Sequence, residues 1–305
     1  MNKYTKLAGI LAAAAMLALT GCGRQEGAEE QPEASPEESV IQTEEPEAAP
    51  EEETDQNEAA SAERTEVSAE ELYAKGSNDV LVYRLFTPET EEEKVPLILY
   101  LHGAGAIGDD NITHITTKDA ASFVTEEMQE LHPCYVLAPQ LPERYTAAGE
   151  SPADEQSAKG WTDEEVQEAL METIEEIAGT NGNVDMDRIY ITGHSMGALG
   201  VWGMIAAYPD VFAAAVPISG LWDGSVDDLV DLPIWIFHGE KDEVVPVDRE
   251  TMLCDRLEEL GGNVRMTIYT DEDFAAAGVT DPHGANVPAY SDQEMFDWMF
   301  DQKRN

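Results

Sequence analysis

A single α/β domain, built on a mostly parallel sheet with helices on both faces, is what residues 72–305 predict. Three observations lead there: near-continuous apolar runs recur along the segment, stretches of helical period separate them, and turn residues close the runs. A strand buried on both faces needs apolar side chains at consecutive positions, whereas a helix packed on a sheet needs them on one stripe.

Taken in order, residues 80–86 (VLVYRLF) are expected to form an edge strand, and 95–101 (VPLILYL) and 134–138 (CYVLA) buried parallel strands. Residues 162–179 read as a helix, with Val166, Leu170, Ile174 and Ile177 on one face, Thr162 as its cap and Gly179 as its stop. A strand at 188–192, an apolar helix at 198–208, and strands at 214–218 and 233–237 follow. A helix at 249–260, a last strand at 264–269 and a helix at 292–302 complete the domain.

The segment before residue 72 has a different character. Lys3 and Lys6 precede an apolar run from Leu7 to Leu19, too short to span a bilayer, so residues 1–21 are expected to be a signal peptide. The run ends in Leu19-Thr20-Gly21-Cys22, which resembles a bacterial lipobox; that resemblance implies lipidation of Cys22 and an anchor on the extracytoplasmic face of a membrane. From Gly23 to Glu71 the chain is dominated by Glu, Ala, Pro, Gln and Ser, a composition that buries too little apolar surface to offset its ordering entropy. Residues 22–71 are therefore expected to be a lipidated cysteine followed by a disordered acidic tether.

The formal net charge is −46, of which about a third lies in that tether, so the globular part is acidic too. Such a surface disfavours nucleic acid and anionic polysaccharide partners. Cys134 and Cys254 show no metal spacing and no CxxC pair, and are expected to be buried free thiols. No metal or organic cofactor is expected.

Gly193-His194-Ser195-Met196-Gly197 carries the chemistry. A serine between two glycines, where a strand turns sharply into a helix, presents its hydroxyl as a nucleophile. Parallel strands joined by helices place reactive residues at their carboxyl ends. Four loops occupy such positions: His102-Gly103-Ala104-Gly105, the serine turn, the turn 239–246 and the segment around His283. An acid for the histidine could come from Glu240, Asp242, Glu243, Asp271 or Asp273.

LILYLHGAGAIGDDN, YVLAPQ, RIYITGHSMGALGVW, PIWIFHGEKDEVVP and HGANVPAYSDQEMFDWMF together resemble the carboxylesterase and phospholipase-like branch of the α/β-hydrolases, which includes prolyl-oligopeptidase-like and polyhydroxybutyrate-depolymerase-like esterases. The resemblance spans residues 78–302 and implies an α/β-hydrolase fold and the chain order serine, acid, histidine. Ser195 is then the nucleophile, His283 the base and Asp242 the acid that orients it. Among the other histidines, His102 and His238 are expected to fix loops, His194 to lie inside the elbow away from Ser195, and His114 and His132 to be surface or loop residues. The backbone N–H groups of Ala104 and Met196 are expected to form the oxyanion hole. Trp222 is a candidate for a pocket wall. Relatives often carry a tryptophan where this chain has Asn286, and the loop 274–281 is expected to be longer than usual.

The resulting expectation is a lipid-anchored serine esterase acting on small or carbohydrate-linked acyl esters. A serine peptidase and a non-catalytic surface-binding protein on the same fold are the alternatives.

Overall fold

The computed structural model describes residues 68–146 and 159–304, all within the unit Glu63–Asn305. The signal segment, Cys22 and the acidic stretch to Val67 lie outside the described residues.

Among the described residues eight strands form one sheet: β1 (Ala74–Ser77), β2 (Val82–Phe86), β3 (Val95–Leu101), β4 (Tyr135–Gln140), β5 (Val184–His194), β6 (Ala214–Ile218), β7 (Ile234–Gly239) and β8 (Val264–Tyr269). The spatial order is β1-β2-β4-β3-β5-β6-β7-β8. β1 and β2 pair antiparallel, as do β2 and β4, and every other neighbouring pair is parallel. β2 is therefore not the edge strand expected of residues 80–86. β1, whose side chains are mostly exposed, covers it and carries no apolar run by which it could have been read.

Among the described residues ten helices accompany the sheet: α1 (Ala69–Leu72), α2 (Lys118–Ser122), α3 (Glu126–Leu131), α4 (Lys159–Thr162), α5 (Glu164–Asn181), α6 (Met196–Ala207), α7 (Val247–Glu259), α8 (Asp271–Ala276), α9 (Asn286–Ala289) and α10 (Gln293–Phe300). α5 is capped by Asp163 rather than Thr162, and it runs on to Gly182, whose φ of 72° closes it in the left-handed conformation. Gly179 lies inside the helix. Of the loop 274–281 before His283, only 274–276 belong to a helix, the end of α8, which Thr270 caps.

Alternation along β3 shows how the core divides. Leu97, Leu99 and Leu101 point to one face, packing with Leu170 and Ile174 of α5 and Val201 and Ile205 of α6. Ile98 and Tyr100 point to the other, against Phe123, Met128 of α3, and Met295 and Met299 of α10. Consecutive positions are thus all buried because each face has its own layer of helices. Cys134 and Cys254 are buried free thiols, as expected.

Candidate active site

β5 ends at His194, and α6 begins one residue after Ser195, so the chain reverses within a single residue. Ser195 takes φ 58°, a conformation an L side chain adopts only when its surroundings hold it there. Its N–H donates to the Ile218 carbonyl of β6, 2.9 Å away, which ties the turn to the sheet. The flanking glycines are demanded by close approach: a Cβ at Gly193 would lie 2.6 Å from the Leu101 carbonyl oxygen, and one at Gly197 only 2.0 Å from it.

Three side chains from three loops meet above this turn. His283 Nε2 lies 2.9 Å from Ser195 Oγ, and His283 Nδ1 lies 2.7 Å from Asp242 Oδ2. Asp242 is supplied by the turn after β7 and His283 by the segment after α8, so Ser195, Asp242 and His283 come together from positions up to 88 residues apart. Of the acids left open by the sequence, Asp242 is the one in contact with His283. Asp273 Oδ2 accepts the Thr270 N–H in the capping box of α8, and Asp271 pairs with Lys241.

The surroundings set the orientation of each group. Asp242 Oδ1 accepts the N–H groups of Val244 and Val245, both at 2.9 Å, leaving Oδ2 to face the histidine. Burial pushes the Asp242 carboxyl up, but His238, His283 and the Val245 N–H more than offset this and hold it well below the ordinary range. The His283 N–H donates to Asp281 Oδ1 at 3.0 Å, an Asx turn that shapes the loop.

His194 does not touch Ser195, as expected, but it has a function in the geometry that the sequence did not disclose. Its Nε2 lies 2.7 Å from the His283 carbonyl oxygen, and the two rings stand 4.8 Å apart. Burial, followed by the neighbouring His283, pushes His194 down to about 4, so it is a neutral donor that fixes the backbone carrying the His283 ring.

The loop after β3 closes the other side. Gly103 packs against the elbow, where a Cβ would lie 3.3 Å from the His194 carbonyl and 3.8 Å from Ser195 Cβ. Ala104 opens the single 3-10 turn that follows, and Met196 is the first residue of α6. His102 fixes this loop, as expected: its Nε2 accepts from the Leu141 N–H at 3.0 Å, and its Nδ1 therefore donates to the Gly103 carbonyl at 2.7 Å. Of the expected surface or loop placement, His114 keeps the loop, in the 3-10 turn Thr113–Ile115, but not the surface. It is fully buried, its Nε2 lies 3.0 Å from the Ala138 carbonyl, and burial followed by His102 pushes it down to about 3.

Trp222 is half-buried and packs at the margin of the apolar cluster that also contains Met196 and borders Ala104. Trp161, by contrast, is wholly buried core and donates its indole N–H to the His102 carbonyl at 3.1 Å. Asn286 ties the histidine segment to α2 through its 2.7 Å hydrogen bond to Asp119.

The phospholipase/carboxylesterase family model matches residues 84–277, well over half of the chain, which includes Ser195 and Asp242 and stops six residues before His283. A thermostable esterase of solved structure is 38% identical with a TM-score of 0.66; the match covers 76% of this chain and 63% of that one. An uncharacterized secreted protein of Arthroderma benhamiae is 28% identical over 71% of this chain, which spans 21% of that protein's length. A poly(3-hydroxyalkanoate) depolymerase C of Paucimonas lemoignei is 52% identical over 40 residues, 13% of this chain and 10% of that one. The chain belongs to the phospholipase/carboxylesterase family.

Proposed function

We propose that this member of the phospholipase/carboxylesterase family hydrolyses carboxylic esters by double displacement at Ser195. The observation that carries the reading is the continuous contact Ser195 Oγ, His283 Nε2, His283 Nδ1, Asp242 Oδ2, at 2.9 Å and 2.7 Å. An unassisted hydroxyl attacks a carbonyl poorly, and a histidine at hydrogen-bond distance removes that limit.

In this mechanism Ser195 Oγ bonds to the ester carbonyl carbon while His283 Nε2 takes its proton. Asp242 keeps the second proton of the ring on Nδ1 and stabilises the imidazolium. The developing oxyanion is received by the N–H groups of Ala104 and Met196, the latter at the positive end of α6. Collapse breaks the bond to the alcohol, which leaves with the His283 proton. Water, deprotonated by the same nitrogen, then attacks the acyl-enzyme and releases the acid.

The substrates are small or carbohydrate-linked acyl esters, consistent with an acidic body that disfavours anionic polymers. Trp222 is assigned to the wall of the substrate pocket. The reading extends to placement: Cys22 carries lipid and holds the enzyme at the extracytoplasmic membrane face.

A fluorophosphonate followed by peptide mass analysis tests the chemistry, with the adduct expected on Ser195; an adduct elsewhere, or an unlabelled but active enzyme, defeats it. A panel of acetylated sugars, short-chain esters, polyhydroxyalkanoate and peptide amides tests the substrate class, and faster cleavage of the amides would favour a peptidase. Cys22→Ala is expected to move the protein out of the detergent phase on partitioning, because an acidic domain needs acyl chains to stay there.

A further inference from the structure

Behind Asp242 the fold buries a second charged pair that the ester chemistry does not use. His238 lies near the end of β7 and Glu250 in the first turn of α7, and both side chains are fully buried. His238 Nδ1 is 2.7 Å from Glu250 Oε2. Its Nε2 is 2.8 Å from the Val245 carbonyl oxygen and 3.3 Å from Asp242 Oδ2, the same oxygen that faces His283. Glu250 Oε1 accepts the indole N–H of Trp202 at 2.9 Å. Gly220 leaves room for that carboxylate, since a Cβ there would come within 2.7 Å of Glu250 Oε1.

Donor and acceptor accounting fixes the protons. A carbonyl and a carboxylate face Nε2, and both can only accept, so Nε2 carries hydrogen. Nδ1 faces Glu250 Oε2, a carboxylate oxygen that accepts, which places hydrogen on Nδ1 as well. Burial drives an imidazole toward its neutral form, but the Asp242 and Glu250 carboxylates overcome it and hold His238 at about 10. The remaining titratable neighbours are His194 from β5, which is neutral, His283, and Cys254 one turn beyond Glu250, where burial pushes the thiol up to about 11.

The geometry points to Glu250 and His238 as positioning residues for the reactive site: Glu250 holds His238 as a standing imidazolium, and that imidazolium fixes Asp242 against His283. The assignment rests on the serine-hydrolase reading above. Charge then alternates along a buried line from Glu250 through His238 to Asp242, and His283 completes the alternation when it takes the Ser195 proton. His238 itself gains and loses nothing during the reaction. Without it, Asp242 Oδ2 has one partner instead of two, and its negative charge is felt undiminished by His283.

The test is nitrogen NMR of the full chain labelled with 15N-histidine, combined with pH profiles of kcat/KM for the parent and Glu250→Gln. One imidazole with both nitrogens protonated is expected to persist in the parent from about pH 5.5 to about pH 8.5, far above the ordinary histidine range. In Glu250→Gln that signal is expected to become neutral below about pH 8, and the acid limb of kcat/KM to move up by roughly 0.5–1 pH unit as the positive charge beside Asp242 is lost. The absence of a non-titrating imidazolium in the parent overturns the assignment, as does an unmoved acid limb in a folded Glu250→Gln. If that variant does not fold, the parent spectrum decides alone. Phosphonate labelling of the same samples separates the two readings: labelled Ser195 without the imidazolium defeats only this network, whereas an unlabelled serine beside an intact imidazolium signal defeats the esterase mechanism.

Discussion

Two histidine–glycine pairs stand at the carboxyl ends of parallel strands in one sheet, His102-Gly103 after β3 and His238-Gly239 in β7, and they differ in charge, the first neutral and the second cationic. Both rings are almost completely buried. His102 meets one backbone donor and one backbone acceptor, which suit a neutral ring, and burial pushes it down to about 4. His238 meets two carboxylates and a carbonyl, acceptors on every side, and is held at about 10 despite the same burial. Burial alone therefore decides nothing about a histidine. The partners at its two nitrogens do, because a buried ring must take whichever protonation state satisfies them.

The largest effect is expected at the site that both loops support. Ser195→Ala and His283→Ala should each lower ester turnover by roughly 10³-fold or more, with the double variant little worse, since residues acting as one unit are non-additive. Asp242→Asn should lose about 10²- to 10⁴-fold, because in the proposed mechanism Asp242 orients the base without moving a proton. Steady-state kinetics on a chromogenic ester checks all four variants, and additive losses would separate Ser195 from His283.

The comparison itself breaks if the two histidines respond alike to an apolar ring. His238→Phe leaves Glu250 and Asp242 facing no cation and should destabilise the fold by about 3–5 kcal/mol. His102→Phe strands a backbone N–H and a carbonyl and should destabilise it less, by about 1–3 kcal/mol. Denaturant unfolding of both variants ranks them, and equal losses would mean that His238 is not charged.

The pH dependence should be smaller and of opposite sign. His102, with its folded value lowered from 6.5 to about 4, adds stability that is complete above pH 6.5 and is lost as pH falls toward 4. His238, raised from 6.5 to about 10, adds stability that is complete below pH 6.5 and is lost as pH rises through 10. Melting temperature against pH should therefore lose part of its acid slope in a His102 variant and part of its alkaline slope in a His238 variant. A reversed pattern would exchange the two assignments.

Much of this was legible in the chain before folding. The apolar runs located β3, β4, β6 and β7 because strands buried on both faces need apolar side chains at consecutive positions, and β3, β6 and β8 match the expected limits at both ends. The elbow was legible as well, since a Cβ at Gly193 or Gly197 would come within 2.6 Å or 2.0 Å of the Leu101 carbonyl oxygen. Polar, short or locally capped pieces were less legible. β1 has no apolar pattern, and α8 depends on its Thr270–Asp273 capping box, a signal present in the sequence but outweighed by the expectation of a loop.

What the sequence by itself determined is the parallel sheet, the strand-to-helix turn at Ser195 and the list of acids and histidines available to serve it. Hydrophobic period and glycine sterics are local properties, and local properties are written in neighbouring residues. Only the tertiary structure decided which acid reaches His283, that His194 holds the His283 carbonyl, that His114 is buried, and that Glu250 from α7 and His238 from β7 share a proton-rich contact behind Asp242. Each of these depends on which donor or acceptor a distant segment brings to within 3 Å of a nitrogen or oxygen, and at that distance a single hydrogen bond outweighs any preference the residue carries by itself.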